Sequence, residues 1–191
     1  FFNMSDIADE SIYNDFFAPL KLFKDLNIPV TSAMQNDING AAWCLPDFFH
    51  QTGIKYLTMG QHGHRALSPF DKPTAFWWQA PSGNKILAFR ADHYNTGNFI
   101  GFHLGNFETV ETKLFDYIKQ LTEKKYPYDD ISIQLSGYFT DNSPPSMKAC
   151  ELVKKWNEVY ESPKLVLSTA SVFLKSIEEK YSGQLETIQK S

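Results

Sequence analysis

The chain predicts an α/β fold, with mostly parallel strands and outer helices. Three observations carry that prediction. Apolar runs of strand length (28–34, 54–59, 85–89 and 131–135) alternate with stretches of helical periodicity. The runs empty into polar turns, and the first of these, Gln35-Asn36-Asp37, holds a carboxylate at a strand tip, where α/β proteins keep their ligands. At 191 residues the chain buries a sizeable core but falls short of the roughly 250 residues of a closed barrel. The strands therefore form either an open sheet or an arc of a larger barrel.

In order along the chain, the N-terminal part reads as a helix from about Ser5, its cap, to Leu26. Ile12, Phe16, Phe17, Leu20 and Phe23 supply one apolar face. Asn27-Ile28-Pro29 ends that helix and opens the first strand. A short helix over 41–51 stops at Gly53, a good left-handed cap residue. The second strand, 54–59, runs into a Gly/His loop over 60–72. Residues 75–79 and 85–89 flank Pro81-Ser82-Gly83 and read as a hairpin. After a loop over 92–107, an amphipathic helix over 108–124 turns Val110, Leu114, Ile118 and Leu121 inward. A strand at 131–135 leads to the turn 137–145, where Ser143 before Pro144 fits a helix cap. Met147, Cys150, Val153 and Trp156 form the expected buried stripe of the helix that follows. A short strand at 165–167 and a helix over 170–180 complete the pattern, and 183–191 trails off without a closing element. The start at Phe1, without methionine or signal pattern, leads us to expect a piece of a longer protein.

A net charge of −4, with no basic run longer than Lys124-Lys125, argues against a nucleic-acid or anionic-membrane surface. No apolar run approaches the length of a membrane span, so no membrane insertion is expected. Cys44 and Cys150 lack metal spacing and read as separate buried thiols within helices. The aromatic content of 15% is high; most of these rings read as core, although rings at strand ends suit sugar faces. The single Asn3-Met4-Ser5 sequon leaves the compartment open.

Polar groups gather after the strands: Gln35, Asn36 and Asp37; Gln61, His62 and His64; Asp92, His93, Tyr94 and Asn95; Tyr138, Thr140, Asp141 and Asn142. His62 and His64 read as exposed histidines that are not ligands. Asp92-His93 offers an acid/base pair, and Asp37 with Asp141 offers paired carboxylates across a rim, the arrangement of glycoside hydrolysis. The nucleophile elbow, the phosphate loop and the dinucleotide fingerprint are absent.

Three segments in order resemble glycoside hydrolase family 38, the α-mannosidases. They are Asp37-Ile38-Asn39-Gly40 with the following helix and Gly53-Ile54-Lys55-Tyr56, the tryptophan-bearing hairpin from Phe76 to Leu87, and Gly137-Tyr138-Phe139-Thr140. The segment from Leu165 to Lys180 further resembles the strand and helix that close that family's catalytic domain. The resemblance implies part of a (β/α)7-type barrel of the glycoside hydrolase/deacetylase kind. This chain would be its C-terminal portion, lacking upstream strands and a downstream helical bundle. It further implies that Asp37 is the nucleophile and a zinc ligand, with His93, Tyr94, Asn95, Tyr138, Thr140 and Asp141 contacting a mannose-containing glycan. Ala41 stands where many relatives carry histidine, and Asp141-Asn142 replaces their Ser-Arg. The family's other zinc ligands, an upstream His-x-Asp and a downstream histidine, have no counterpart here. They are expected in the rest of the parent polypeptide, and this chain alone is expected to be inactive. The acid/base is left unassigned, with Asp92 and Asp141 as its candidates. A deacetylase-like barrel and a non-catalytic sugar-binding domain are the alternatives, the former lacking its usual Asp and His-x-x-x-His pattern.

Overall fold

The computed structural model describes residues 20–37, 40–61, 70–139 and 142–190. Ser5, Ile12, Phe16, Phe17, His62, His64, Thr140 and Asp141 lie outside the described residues. Of the expected N-terminal helix, residues 20–25 are helical.

A five-stranded open sheet has the order β1-β2-β4-β3-β5. Its strands are β1 (Ser32–Asn36), β2 (Tyr56–Gln61), β3 (Thr74–Gln79), β4 (Lys85–His93) and β5 (Thr187–Ile188). β1, β2 and β4 run parallel, β3 is antiparallel to β4, and β5 is parallel to β3. The β3–β4 turn needs a glycine: Gly83 sits at φ +99°, and Ala80 N–H bonds Asn84 O at 2.9 Å beside it. Helix α1 (Leu45–Thr52) carries Pro46 in its first turn and is capped by Gly53, φ 81°. Its first turn pins the hairpin, because Asp47 Oδ1 accepts from Ser82 Oγ and from Asn84 Nδ2.

Successive residues of β4 point to opposite faces, and both faces are covered, which explains its unbroken apolar run. Ile86 and Ala88 join Leu57, Phe76 and Trp78 under Leu45 and Phe49 of α1. Leu87, Phe89 and Ala91 pack with Tyr56 and Ala75 against Leu174 and Ile177 of the last helix, Ala170–Tyr181. A third cluster joins Ile100 and Phe102 to two further helices through Val110, Leu114, Ala149, Leu152 and Trp156.

The helices that follow α1 are α2 (Thr96–Ile100), α3 (Phe107–Glu123), α4 (Lys148–Val159) and α5 (Ala170–Tyr181), the third cluster drawing on α2, α3 and α4. The Asn106 side chain caps α3 by accepting from Thr109 N at 2.8 Å. The 92–107 stretch, expected as loop, instead holds the end of β4, α2 and a 3-10 turn, Phe102–Leu104.

Several expectations are corrected. Residues 131–136 form no ladder, because Gln134 O accepts from Gly97 N at 2.8 Å and the Asn98 amide takes both backbone groups of Ser136. Leu165-Val166-Leu167 is likewise no strand: the Asn157 amide binds Leu165 N and O, and Val166 is 79% exposed. The tail does close an element, since Glu186 O accepts from Trp77 N at 2.8 Å and aligns β5 on β3. Helix α4 starts at Lys148 because Pro144 O is drawn back to Tyr138 N at 2.7 Å. Its buried stripe is therefore Ala149, Leu152 and Trp156, with Met147 71% exposed ahead of it. Cys150 in α4 and Cys44, which precedes α1, are free and only half-buried.

Candidate functional site

The three parallel strands end on one side, bringing together Asn36-Asp37, Gly60 and His93-Tyr94-Asn95. At the usual strand spacing the tips of β1 and β4 stand about 10 Å apart across β2. Asp37 follows β1 directly, is exposed, and has φ 53°, a left-handed conformation that aspartate tolerates better than most residues. Two contacts brace its turn: Gln35 Nε2 donates to Gly40 O at 2.7 Å, and Asn36 Oδ1 accepts from Gly60 N at 2.9 Å. A Cβ on Gly60 would lie 2.3 Å from Asn36 Oδ1 and 2.7 Å from Tyr94 Cβ. The glycine thus lets three strand ends close together.

Of the residues expected to contact substrate, Tyr94 is buried and stacks on His93 with ring centroids 4.6 Å apart. It forms the floor of the rim. His93 Nδ1 accepts from Asn95 N at 3.0 Å, and its ring lies 4.9 Å from that of Phe99. Asn95 Oδ1 is a buried acceptor without a hydrogen-bond partner among the described residues. Tyr138 and Phe139 are exposed, 42% and 66%. Their loop is closed by Phe139 N donating to Ser143 Oγ at 3.1 Å, while Lys148 Nζ sits 5.2 Å from the centre of the Tyr138 ring. Gln134 Nε2 reaches Met34 Sδ of β1 at 3.5 Å, so the 131–139 segment passes close to the strand that bears Asp37.

Asp92 points elsewhere. Its Oδ2 accepts from Tyr117 Oη of α3 at 2.6 Å. Burial, and then the Asp92 charge, hold the Tyr117 hydroxyl far above its ordinary pKa, so it stays a donor to this carboxylate. Burial lowers the pKa of Arg90, an effect that Asp92 opposes.

Sequence reasoning missed the clamp that holds the Gly-Tyr-Phe segment. Asn98, 6% exposed, donates to Ser136 O at 2.8 Å and accepts from Ser136 N at 2.9 Å. Ser136 Oγ in turn donates to Tyr94 O at 3.2 Å. A side chain on Gly97 would meet Gln134 O at 2.9 Å, so the contact is glycine-tight. The only signal was the polar run from Asn95 to Asn98, which looks like any loop. His103 was missed as well: 7% exposed, its Nδ1 has no hydrogen-bond partner among the described residues, and its ring stands edge-on to Phe139 at 6.1 Å.

Among the described residues no three of His, Cys, Asp and Glu converge. Asp37 alone cannot make a zinc centre, which takes at least three protein ligands, so the described residues do not fit the metal by themselves.

No curated protein matches this chain. A family model described as the glycosyl hydrolases family 38 N-terminal domain matches residues 2–191. With every residue but the first inside that match, the chain belongs to glycosyl hydrolase family 38, through that family's N-terminal domain.

Proposed function

We propose that this chain is part of the catalytic barrel of a glycosidase that hydrolyses α-mannosides with retention, and that Asp37 is the nucleophile. Family membership supports a carbohydrate substrate. The observation that carries the assignment is the setting of Asp37: an exposed carboxylate in a left-handed turn at the tip of β1, braced on both sides. A group held this way can approach an anomeric carbon repeatedly in one geometry.

Asp37 Oδ attacks the anomeric carbon as the glycosidic C–O bond breaks, and an acid protonates the departing oxygen. Water then attacks the glycosyl–Asp37 ester, and the two inversions give net retention. Asp141 is the candidate for the acid, since the Asp92 carboxylate is engaged by Tyr117. His93, Asn95, Tyr138 and Thr140 contact the sugar, over a floor that includes Tyr94. A zinc ion would take Asp37 as one ligand and its others from the rest of the parent polypeptide.

The test is the full-length protein and its Asp37→Asn variant on an aryl α-mannoside, with and without chelator. Asparagine keeps the left-handed backbone but cannot form the ester, so kcat should fall on the order of 10⁴-fold or more. Chelator should abolish the wild-type rate. NMR of the first-formed sugar should show the α-anomer. Wild-type turnover that survives in Asp37→Asn overturns the assignment, and sugar binding without turnover by wild type marks a non-catalytic domain.

A further inference from the structure

A cavity of about 170 Å³ lies on the outer edge of β3, three strand spacings, or about 14 Å, from β1. It exists because β5 is short. β5 pairs only with Trp77 and Trp78, and the chain before it turns off through a 3-10 turn, Ser182–Gln184. The backbone of Ala75 is met instead by the Tyr128 hydroxyl, which accepts from Ala75 N at 2.9 Å and donates to Ala75 O at 3.4 Å. A notch stays open between Tyr128 and the tail. We propose that this notch binds a quaternary ammonium group, such as the head of choline. The site stands apart from Asp37 and is independent of the mannosidase reading.

Rings form its walls. On the face of the sheet under α1, Phe70 stacks on Phe76 with centroids 5.5 Å apart. On the opposite face Tyr128 and Tyr181 meet at 70°, with centroids 5.1 Å apart, and make a corner. Glu186 is the only charged residue among the described residues that line the notch. The walls are anchored, since Tyr181 Oη accepts from Asp129 N at 2.9 Å and Trp77 Nε1 donates to Ser182 O at 3.1 Å. Burial foremost raises the pKa of the Tyr128 hydroxyl, and the charge of Glu186 adds to the shift, so this carboxylate acts on the ring wall.

Charge and solvation select the ligand. Ring faces and a carboxylate both present negative charge, so an anion is repelled. An apolar ligand would strip water from Glu186 and return nothing. A metal ion needs more oxygen ligands than one carboxylate supplies. A primary ammonium has three donors to satisfy again once it leaves water, and ring faces accept weakly. A quaternary ammonium has no donor to lose, and its charge is spread over methyl groups that pack on the rings. The volume is close to the roughly 150 Å³ that admits one benzene ring, which suits a trimethylammonium head.

The experiment titrates the full-length protein calorimetrically with choline chloride and with neohexanol, its uncharged carbon isostere. Choline should bind about tenfold more tightly than the alcohol. Glu186→Gln, an exposed change of nearly equal shape, should weaken choline about tenfold and leave neohexanol unmoved. Phe70→Leu keeps apolar bulk without the ring and should weaken choline by about the same factor. If Phe70→Leu melts early, Glu186→Gln decides alone. No binding of choline, equal affinity for choline and neohexanol, or choline affinity unchanged in Glu186→Gln overturns the inference. With choline bound, co-sedimentation on phosphatidylcholine vesicles supports a lipid headgroup as the source of the cation, and its absence supports a free one.

Discussion

Replacing Gly60 with alanine puts a methyl carbon 2.3 Å from Asn36 Oδ1 and 2.7 Å from Tyr94 Cβ. The Asn36 amide can rotate away, but only by giving up its 2.9 Å bond from Gly60 N. The Tyr94 Cβ has no such freedom, since it moves only with its backbone. Overpacking of this kind costs about 1–3 kcal/mol, and the lost hydrogen bond about 1 kcal/mol more. The sum is about 2–4 kcal/mol; at about 2–4 °C per kcal/mol for a chain of this size, Tm should fall by about 4–16 °C. Because the methyl group pushes the tip of β1, the carboxylate beside it shifts as well. A displacement near 1 Å costs about 10²-fold in kcat/KM on an aryl α-mannoside. Circular dichroism melts and steady-state kinetics read the two effects. In the double variant Asn36→Ala/Gly60→Ala the nearer obstruction is gone, so its destabilisation should be less than the sum of the single variants. An unchanged Tm and rate in Gly60→Ala, or strict additivity in the double variant, refutes the reasoning.

Tyr56 Oη donates to Glu178 Oε2 at 2.6 Å, and burial, followed by that carboxylate, pushes its pKa from 10.0 up to about 12. A raised folded-state pKa contributes stability that is whole below pH 10.0 and lost as the pH climbs through about 12. Urea titrations should therefore show wild type losing its margin over Tyr56→Phe within that window; a margin constant with pH contradicts the assignment. Asn98→Ala strands both backbone groups of Ser136, which should destabilise by about 2–3 kcal/mol. It should also speed amide hydrogen exchange at Ser136 and Phe139, and unchanged protection there would remove Asn98 from its clamping role. Zinc should leave the melting of the 191-residue chain unmoved, since among the described residues no three metal-ligating side chains converge. A stabilising shift would show that the chain carries its own site.

What the sequence made legible was local. The hairpin could be read because Pro81-Ser82-Gly83 and its flanking apolar runs are contiguous, and β4 starts at Lys85 as expected but runs on to His93 instead of stopping at Phe89. The place of Asp37 followed from the same logic, since an apolar run, a polar turn and a glycine predict a strand tip without tertiary knowledge. Residues 131–135 misled because their β-branched pattern suits a ladder, whereas their hydrogen bonds go to Gly97 and Asn98. That partnership crosses 38 residues and leaves no periodicity behind. β5 failed for the opposite reason: two residues beside Trp77 and Trp78 carry no pattern of their own. Helix α4 was expected four residues early because the Ser143-Pro144 cap signal was real in type but its carbonyl was already engaged by Tyr138.

β1 lies at the margin of the sheet, bonded to β2 and, among the described residues, to no strand on its other side. A ribbon fastened along one border can hinge about that border, and the group at its end then sweeps an arc. The Asn36–Gly60 bond works against this as a latch at the far end of the ribbon. Whatever comes to lie along the open border acts on the same hinge, so the aim of the Asp37 carboxylate can be adjusted from a place that never touches the sugar.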